Sequence, residues 1–364
     1  MSTSIVTSIG LKSLPLVAQV GSHLWFTSLV HIFGSHLWFT SLANLPWTYA
    51  WTYALTQAHP QGKVREIYEA GDSSLILVTS DRISAYDVIL ENGVQDKGTV
   101  LTLLTNHWLN TVLPEHIPGL KHHLLSLNIP STLNVSPEER QRLRGRSMVV
   151  NKYRVFPIEA IVRGYITGSS WTEYKQKGTV HGLPQASGLE QCQAFPGGPI
   201  YTPSIATADI HFHSKGAVTP DFGQITPDHA RQIVGDKYAD KIENLALAIY
   251  KAAHAYALER GIIVADTKFE FGLDEETDEV VLIDEVLTPD SSRFWPAADY
   301  AQGRDQKSFD KQYLRDWLTG QGLKGKEGVS MTTDVQAQTS AKYLEAFHRL
   351  TGETLDQALA KVEK

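Results

Sequence analysis

Between residues 263 and 272 the chain reads Ile-Val-Ala-Asp-Thr-Lys-Phe-Glu-Phe-Gly, and Val-Leu-Ile-Asp-Glu follows at 281–285. Successive side chains of a β-strand point to opposite faces, so Asp266, Lys268 and Glu270 share one face while Thr267, Phe269 and Phe271 line the other. The acidic turn 273–278 reverses the chain, and the second strand brings Asp284 alongside. Three carboxylates and a lysine on a rigid sheet can hold magnesium ions that bridge phosphates, with the lysine neutralising a phosphate oxygen. The plain alternative is a solvated hairpin with cross-strand ion pairs, because Asp-x-Lys-x-Glu alone is a weak signal.

Neighbouring motifs supply anion-binding chemistry. Ser291, Ser292 and Arg293 stand in a row within Thr-Pro-Asp-Ser-Ser-Arg-Phe-Trp at 288–295. Two hydroxyls and a forked guanidinium suit a phosphate monoester. An apolar strand at 158–162 delivers Arg163 and then, after Gly164 and Gly168, Ser169. Gly62, Lys63 and Arg65 open a hairpin in which both cations share a face beside a glycine, as a triphosphate requires. Together these motifs offer two anion sites and one metal site.

These segments are similar to those of one known family. Gly-Lys-Val-Arg-Glu-Ile-Tyr at 62–68, Ser-Asp-Arg-Ile-Ser-Ala-Tyr-Asp at 80–87 and Glu-Ala-Ile-Val-Arg-Gly-Tyr-Ile-Thr-Gly-Ser at 159–169 resemble the SAICAR synthetases. Asp-Thr-Lys-Phe-Glu-Phe-Gly at 266–272, Asp-Glu-Val-Leu-Thr-Pro-Asp-Ser-Ser-Arg-Phe-Trp at 284–295 and Ser-Phe-Asp-Lys-Gln-Tyr-Leu-Arg-Asp-Trp-Leu at 308–318 agree with them. The motifs are collinear over roughly residues 62–350, and the length suits the single-domain form of fungi and many bacteria.

The resemblance implies that ATP, L-aspartate and the carboxylated ribonucleotide CAIR give SAICAR, ADP and phosphate through an acyl phosphate. Such chemistry asks the protein for positioning, metal ions and cations rather than a nucleophile. By the same resemblance Gly62, Lys63 and Arg65 cover the ATP phosphates, and the backbone of 148–152, with Asn151 and Lys152, meets the adenine edge. Arg163, Ser169 and Arg293, beside Ser291 and Ser292, clamp the ribonucleotide phosphate, and Asp87 contacts CAIR. Asp266 and Lys268 face the reacting groups, while Glu270 and Asp284 hold Mg2+ near ATP. Lys97 and Gly98 are family-like too, as a substrate contact or as a plain turn before a helix.

The chain departs from the family pattern twice. After residue 204 the expected Thr-Lys-Ala-Glu and acidic histidine segments are replaced over 205–225, removing a lysine that would help hold ATP phosphate; Lys215 is a candidate substitute. This replacement motivates an alternative, a catalytically impaired relative that binds nucleotide only. His211 and His213 read as loop residues for want of a further ligand at suitable spacing. The second departure is an insertion over 20–61, after a strand segment at 1–19. Gly-Ser-His-Leu-Trp-Phe-Thr-Ser-Leu occurs twice in it, at 21–29 and 34–42, and Trp-Thr-Tyr-Ala twice, at 47–54. Two copies do not make a solenoid, and the polar interruptions disqualify a membrane span. A loop or poorly ordered excursion is expected, with a membrane-touching aromatic patch as the sharper alternative.

The elements that must position these groups form an α+β pattern with two lobes and a cleft between them. Residues 62–150 read as a strand-rich ATP-binding lobe, 151–330 as a lobe of helix and hairpin for substrate and metal, and 331–364 as a helical tail. Helices are expected at 99–112, from Pro137 after a Ser136 cap, near 171–176, from Thr226 to Gly261 with a possible break at Gly235, and near 308–318 and 333–349. Ile233, Ile242, Leu245, Ile249 and Tyr256 mark the buried side of the longest. The family's fold places ATP in its cleft in a manner similar to kinases, yet the chain has no His-Arg-Asp loop. A net charge of −7 argues against a nucleic-acid partner, and a single cysteine excludes an intrachain disulfide. The expected partners are small molecules in the cytoplasm, with no membrane, and a monomer is compatible with the pattern.

Overall fold

The computed structural model describes residues 64–86, 88–206, 223–309 and 311–362. Gly62, Lys63, Asp87, the 1–19 and 20–61 segments, His211, His213 and Lys215 therefore lie outside the described residues.

The α+β class is observed, and two antiparallel sheets carry the site. The first has the order Arg65–Glu69, Ser74–Thr79, Ser147–Asn151, Leu124–Ser126. The second is built on two long strands, Arg154–Arg163 and Ile262–Asp274, paired along most of their length. Ile200–Tyr201 and Ser204–Ile205 extend the outer edge of Arg154–Arg163. Glu279–Ile283 and Ser292–Pro296 share the far edge of Ile262–Asp274, one at each end. Alternation explains the central strand: Phe269 and Phe271 are buried while Lys268 and Glu270 keep partial access to solvent. The sheets meet where Leu282 N–H donates to Lys121 C=O at 2.9 Å and His123 N–H donates to Leu282 C=O at 3.1 Å. One apolar cluster, including Leu77, Met148, Phe269 and Leu350, unites both.

The helices follow local chemistry. Pro137–Leu143 starts with the Ser136–Glu139 capping box. Pro227–Val234 and Asp236–Glu259 are separated at Gly235, and the longer one packs Ile242, Ala246, Ile249 and Tyr250 against the second sheet. Ile233 is corrected: it is exposed, because the break at Gly235 turns its helix off the line of the long one. The helix expected at 99–112 begins at Lys97, widens into a π-helical stretch at Trp108–Val112 and ends at His116. Trp108 Nε1 donates to Leu287 C=O at 3.0 Å, which ties this helix to the loop behind the hairpin. Gly168–Lys177, Gln312–Gly320 and Thr333–Thr351 occupy the other expected places, and Leu355–Lys361, capped by Thr354, is a second helix of the expected helical tail. Among the described residues no helix is long and apolar enough to cross a membrane.

Candidate active site

Register, more than any single motif, builds the site. On the central strand Asp266 stands opposite Arg163 on one neighbour and opposite Arg293 on the other. Its Oδ2 accepts from Arg163 Nη1 at 3.1 Å and also from Arg293 Nη1. Two positions along the same face, Lys268 Nζ donates to Glu159 Oε1 at 3.0 Å and to Glu270 Oε1 at 2.9 Å. From the first sheet Arg65 reaches across to Asp284 at 2.6 Å and Glu285 at 3.1 Å. The expectation that Asp284 lies on the second strand is corrected. It sits one residue past Glu279–Ile283 with φ of 63°, a turn conformation that aims its carboxyl at the other sheet.

Burial and charge set the protonation states. Burial works against the Lys268 ammonium, but Glu270 and Glu159 outweigh it and raise its pKa, so it stays charged. Burial likewise opposes the Glu270 carboxylate, and Lys268 overcomes it and lowers the pKa. Asp284 goes the other way: burial, helped by Glu270 and Glu285, pushes it up to about 6 despite Arg65. This corner of the site is thus short of positive charge.

A cleft of about 590 Å³, counting its open mouth, is lined by Arg163, Ser169, Asp266, Lys268, Ser291, Ser292, Arg293, Lys311 and Arg315, among others. Ser169 lies in the first turn of Gly168–Lys177, which carries no acidic residue there, so no carboxylate offsets the positive end of this helix. Gly168, at φ of 58°, lets Arg293 pass so closely that a Cβ would lie 2.6 Å from its Nη2. Ser292 Oγ shares a hydrogen bond of 2.8 Å with Thr267 Oγ1, and Ser291 Oγ accepts from Thr288 N–H at 3.1 Å. Both hydroxyls are therefore partly engaged.

Asn151 and Lys152 stand apart from this cleft. Their backbone N–H groups donate to His123 and Ser73 carbonyls at 2.8 Å each, and Lys152 Nζ meets Glu69 at 3.4 Å. These two N–H groups are therefore already engaged within the protein. Lys97 is corrected on both of its readings: it is the first residue of a helix, fully buried, with its ammonium 2.9 Å from Asp290. Gly98 N–H donates to Asp81 Oδ1 at 2.9 Å.

Sequence reasoning missed Glu159, Thr202, His181 and Lys311. Glu159 was within reach of it, since residues 159, 161 and 163 share a strand face and Arg163 was already singled out. The others enter through loops whose spacing carries no signal.

A family model described as SAICAR synthetase matches residues 58–332. The chain belongs to the SAICAR synthetase family. A phosphoribosylaminoimidazole-succinocarboxamide synthase of Pichia angusta is 52% identical over 297 residues, covering 81% of this chain and 94% of that protein. The solved SAICAR synthase of Saccharomyces cerevisiae complexed with SAICAR superposes with a TM-score of 0.72 at 43% identity, covering 86% of this chain and 99% of the other. A SAICAR synthetase solved in complex with ADP shares the fold at a TM-score of 0.57 and 24% identity, covering 81% of this chain and 98% of the other. The family's ATP-dependent ligase role is accordingly this chain's, and the comparisons give no support to the impaired alternative.

Proposed function

We propose that the chain joins L-aspartate to the carboxylate of CAIR, yielding SAICAR, ADP and phosphate. The observation that carries this reading is the central strand, where Asp266 is held between two arginines while Lys268 bridges two glutamates. A carboxylate is a poor acyl donor because oxide would have to leave. A CAIR carboxylate oxygen attacks the γ-phosphorus of ATP and ADP departs. The aspartate amine then attacks the acyl carbon and phosphate departs. Arg163, Arg293 and the helix start at Ser169 grip the ribonucleotide phosphate, with Ser291 and Ser292 beside them. Asp266 keeps both arginines in that pose, and Lys268 meets negative charge growing on the transferred group. Arg65, with Gly62 and Lys63, covers the ATP phosphates, and Asp87 contacts CAIR.

Glu270 and Asp284 fit Mg2+. No group of three or more acidic, histidine or cysteine side chains forms a metal cage among the described residues. Magnesium bound with a nucleotide takes only one or two carboxylates and completes its shell with phosphates and water. A carboxyl held up near 6 beside a second carboxylate also favours an added cation. When bound, the ion would neutralise phosphate charge. We assign residues 62–150 to the ATP lobe, 151–330 to the substrate and metal lobe and 331–364 to a helical tail, and on the family's biosynthetic role a cytoplasmic setting.

The test is an assay of purified chain with ATP, magnesium, CAIR and aspartate, beside a form lacking residues 20–61. SAICAR and ADP in equal amounts, both dependent on aspartate, are expected. ADP release that ignores aspartate would sink the ligase assignment. Product from the shortened form alone would locate a defect in the insertion.

A further inference from the structure

His181 occupies a left-handed turn position. The strands Thr179–Val180 and Leu183–Pro184 are joined by His181 and Gly182, with φ of 49° and 73°. Positive φ at both central residues of a two-residue hairpin favours Asn-Gly, so a histidine at the first carries a backbone cost. The turn is nevertheless firmly held. Glu173, on the helix that begins beside Ser169, accepts from His181 N–H at 2.8 Å, Gly182 N–H at 2.9 Å and Thr179 Oγ1 at 2.7 Å.

The ring explains the choice. His181 is buried, with Nδ1 at 3.2 Å from the Pro203 carbonyl and Nε2 at 3.3 Å from Arg163 Nη2. A carbonyl only accepts, so Nδ1 carries the hydrogen and the Nε2 lone pair receives an Arg163 N–H. Burial and the adjacent guanidinium keep the ring neutral, as this role requires, with a pKa of about 4. Arg163 has five N–H groups. Thr202 takes the one on Nε at 3.1 Å, Asp266 one on Nη1 and His181 one on Nη2. Two remain without a partner among the described residues, and Arg163 lines the cleft.

We propose that His181 is a positioning residue for substrate binding: its neutral ring, held by the Pro203 carbonyl, fixes the Arg163 fork so that its two remaining N–H groups present to the sugar phosphate. This rests on the reading of Arg163 as a phosphate ligand.

The test compares H181N with H181Q. Asparagine suits the left-handed turn and its short amide reaches only the Nδ1 position, toward Pro203. Glutamine fits the turn less well but can place an oxygen where Nε2 stood. Positioning predicts that H181N raises the KM for CAIR about tenfold or more, leaves the KM for ATP within about twofold, and unfolds at or above the wild-type temperature. H181Q is expected within about threefold of wild type for CAIR, even if it unfolds earlier. A purely structural histidine predicts the opposite order, and that order, or equal CAIR binding by both variants, overturns the proposal. R163K is the companion control. If it leaves the KM for CAIR unchanged, the phosphate-clamp reading itself fails; if it raises that KM while H181N does not, only the role of His181 fails.

Discussion

Asparagine in place of Asp290 leaves two buried ammonium groups facing each other. Lys97 lies 2.9 Å and Lys311 3.0 Å from the Asp290 carboxylate, and Tyr343 donates to it at 2.6 Å. Lys97 is wholly buried and Lys311 nearly so, which prevents water from screening the pair. The two lysines act first among the groups that overcome burial and hold the Asp290 carboxyl far below its usual range. With the carboxylate gone, the cheapest relief is to strip a proton from Lys97, whose ordinary pKa is 10.5. Bringing that below 7 costs about 5 kcal/mol, which sets the ceiling for D290N and agrees with ~3–5 kcal/mol for an orphaned buried charge. K97M behaves differently, because one carboxylate and one ammonium remain balanced and methionine fills a similar volume. Its cost is about 1 kcal/mol. The assay is urea unfolding at pH 7.5 with m-values compared, so that only midpoint shifts at constant slope are read as stability. A K97M loss equal to or above that of D290N would refute the charge-balance argument.

Further outcomes are expected. R293A should raise the KM for CAIR far more than that for ATP, by about a hundredfold at the strength of hydrogen bonds to charged groups; equal losses in steady-state kinetics would remove this arginine from the clamp. G168A should weaken CAIR binding through Arg293, since the new methyl would sit 2.6 Å from its Nη2 at a backbone φ of 58°; unchanged CAIR kinetics in a folded variant would contradict that packing. Acid should destabilise the fold in a defined window. His181, facing Arg163 and Glu173, has a folded pKa of about 4 against an ordinary 6.5, so the unfolded chain binds the extra proton. Its stability contribution is complete above pH 6.5, falls as pH drops toward 4, and amounts to roughly 3 kcal/mol. Urea midpoints between pH 7.5 and 4.5 should fall less steeply for H181Q than for wild type, and parallel slopes would exclude His181 as a source.

What could be read of the site from sequence was whatever a period of two encodes. The common face of Asp266, Lys268 and Glu270 follows from alternation, and the buried Phe269 and Phe271 follow with it. The partners of that face were not legible, because they depend on register between strands far apart in the chain. Arg163 is 103 residues from Asp266, and only the alignment of Arg154–Arg163 with Ile262–Asp274 places them side by side. Lys97 was misread for a related reason. Lysines are seldom fully buried, so its local sequence pointed to a turn, whereas its partner Asp290 comes from the far end of the second sheet. His181 lies in a stretch whose local pattern says nothing of the arginine beside it.

Charge counted across the site supports the proposal that a metal accompanies the nucleotide. Arg65, Lys97, Arg163, Lys268, Arg293, Lys311 and Arg315 supply seven cations around the cleft and its rim. Glu159, Asp266, Glu270, Asp284, Glu285 and Asp290 supply six carboxylates. Nearly every cation described here already has a carboxylate partner, so a triphosphate, a sugar phosphate and a reacting carboxylate would enter a site with almost no surplus positive charge. The carboxylates cannot simply be lost, because removing one from a buried pair strands its partner. On that proposal Glu270 and Asp284 would hold a divalent cation, which would restore the balance without disturbing those pairs. Calorimetric titration of ATP should therefore show affinity falling at least tenfold when EDTA replaces magnesium, and E270Q should narrow that difference. Equal ATP affinity with and without the metal would mean that the paired cations suffice, and the charge argument would fail.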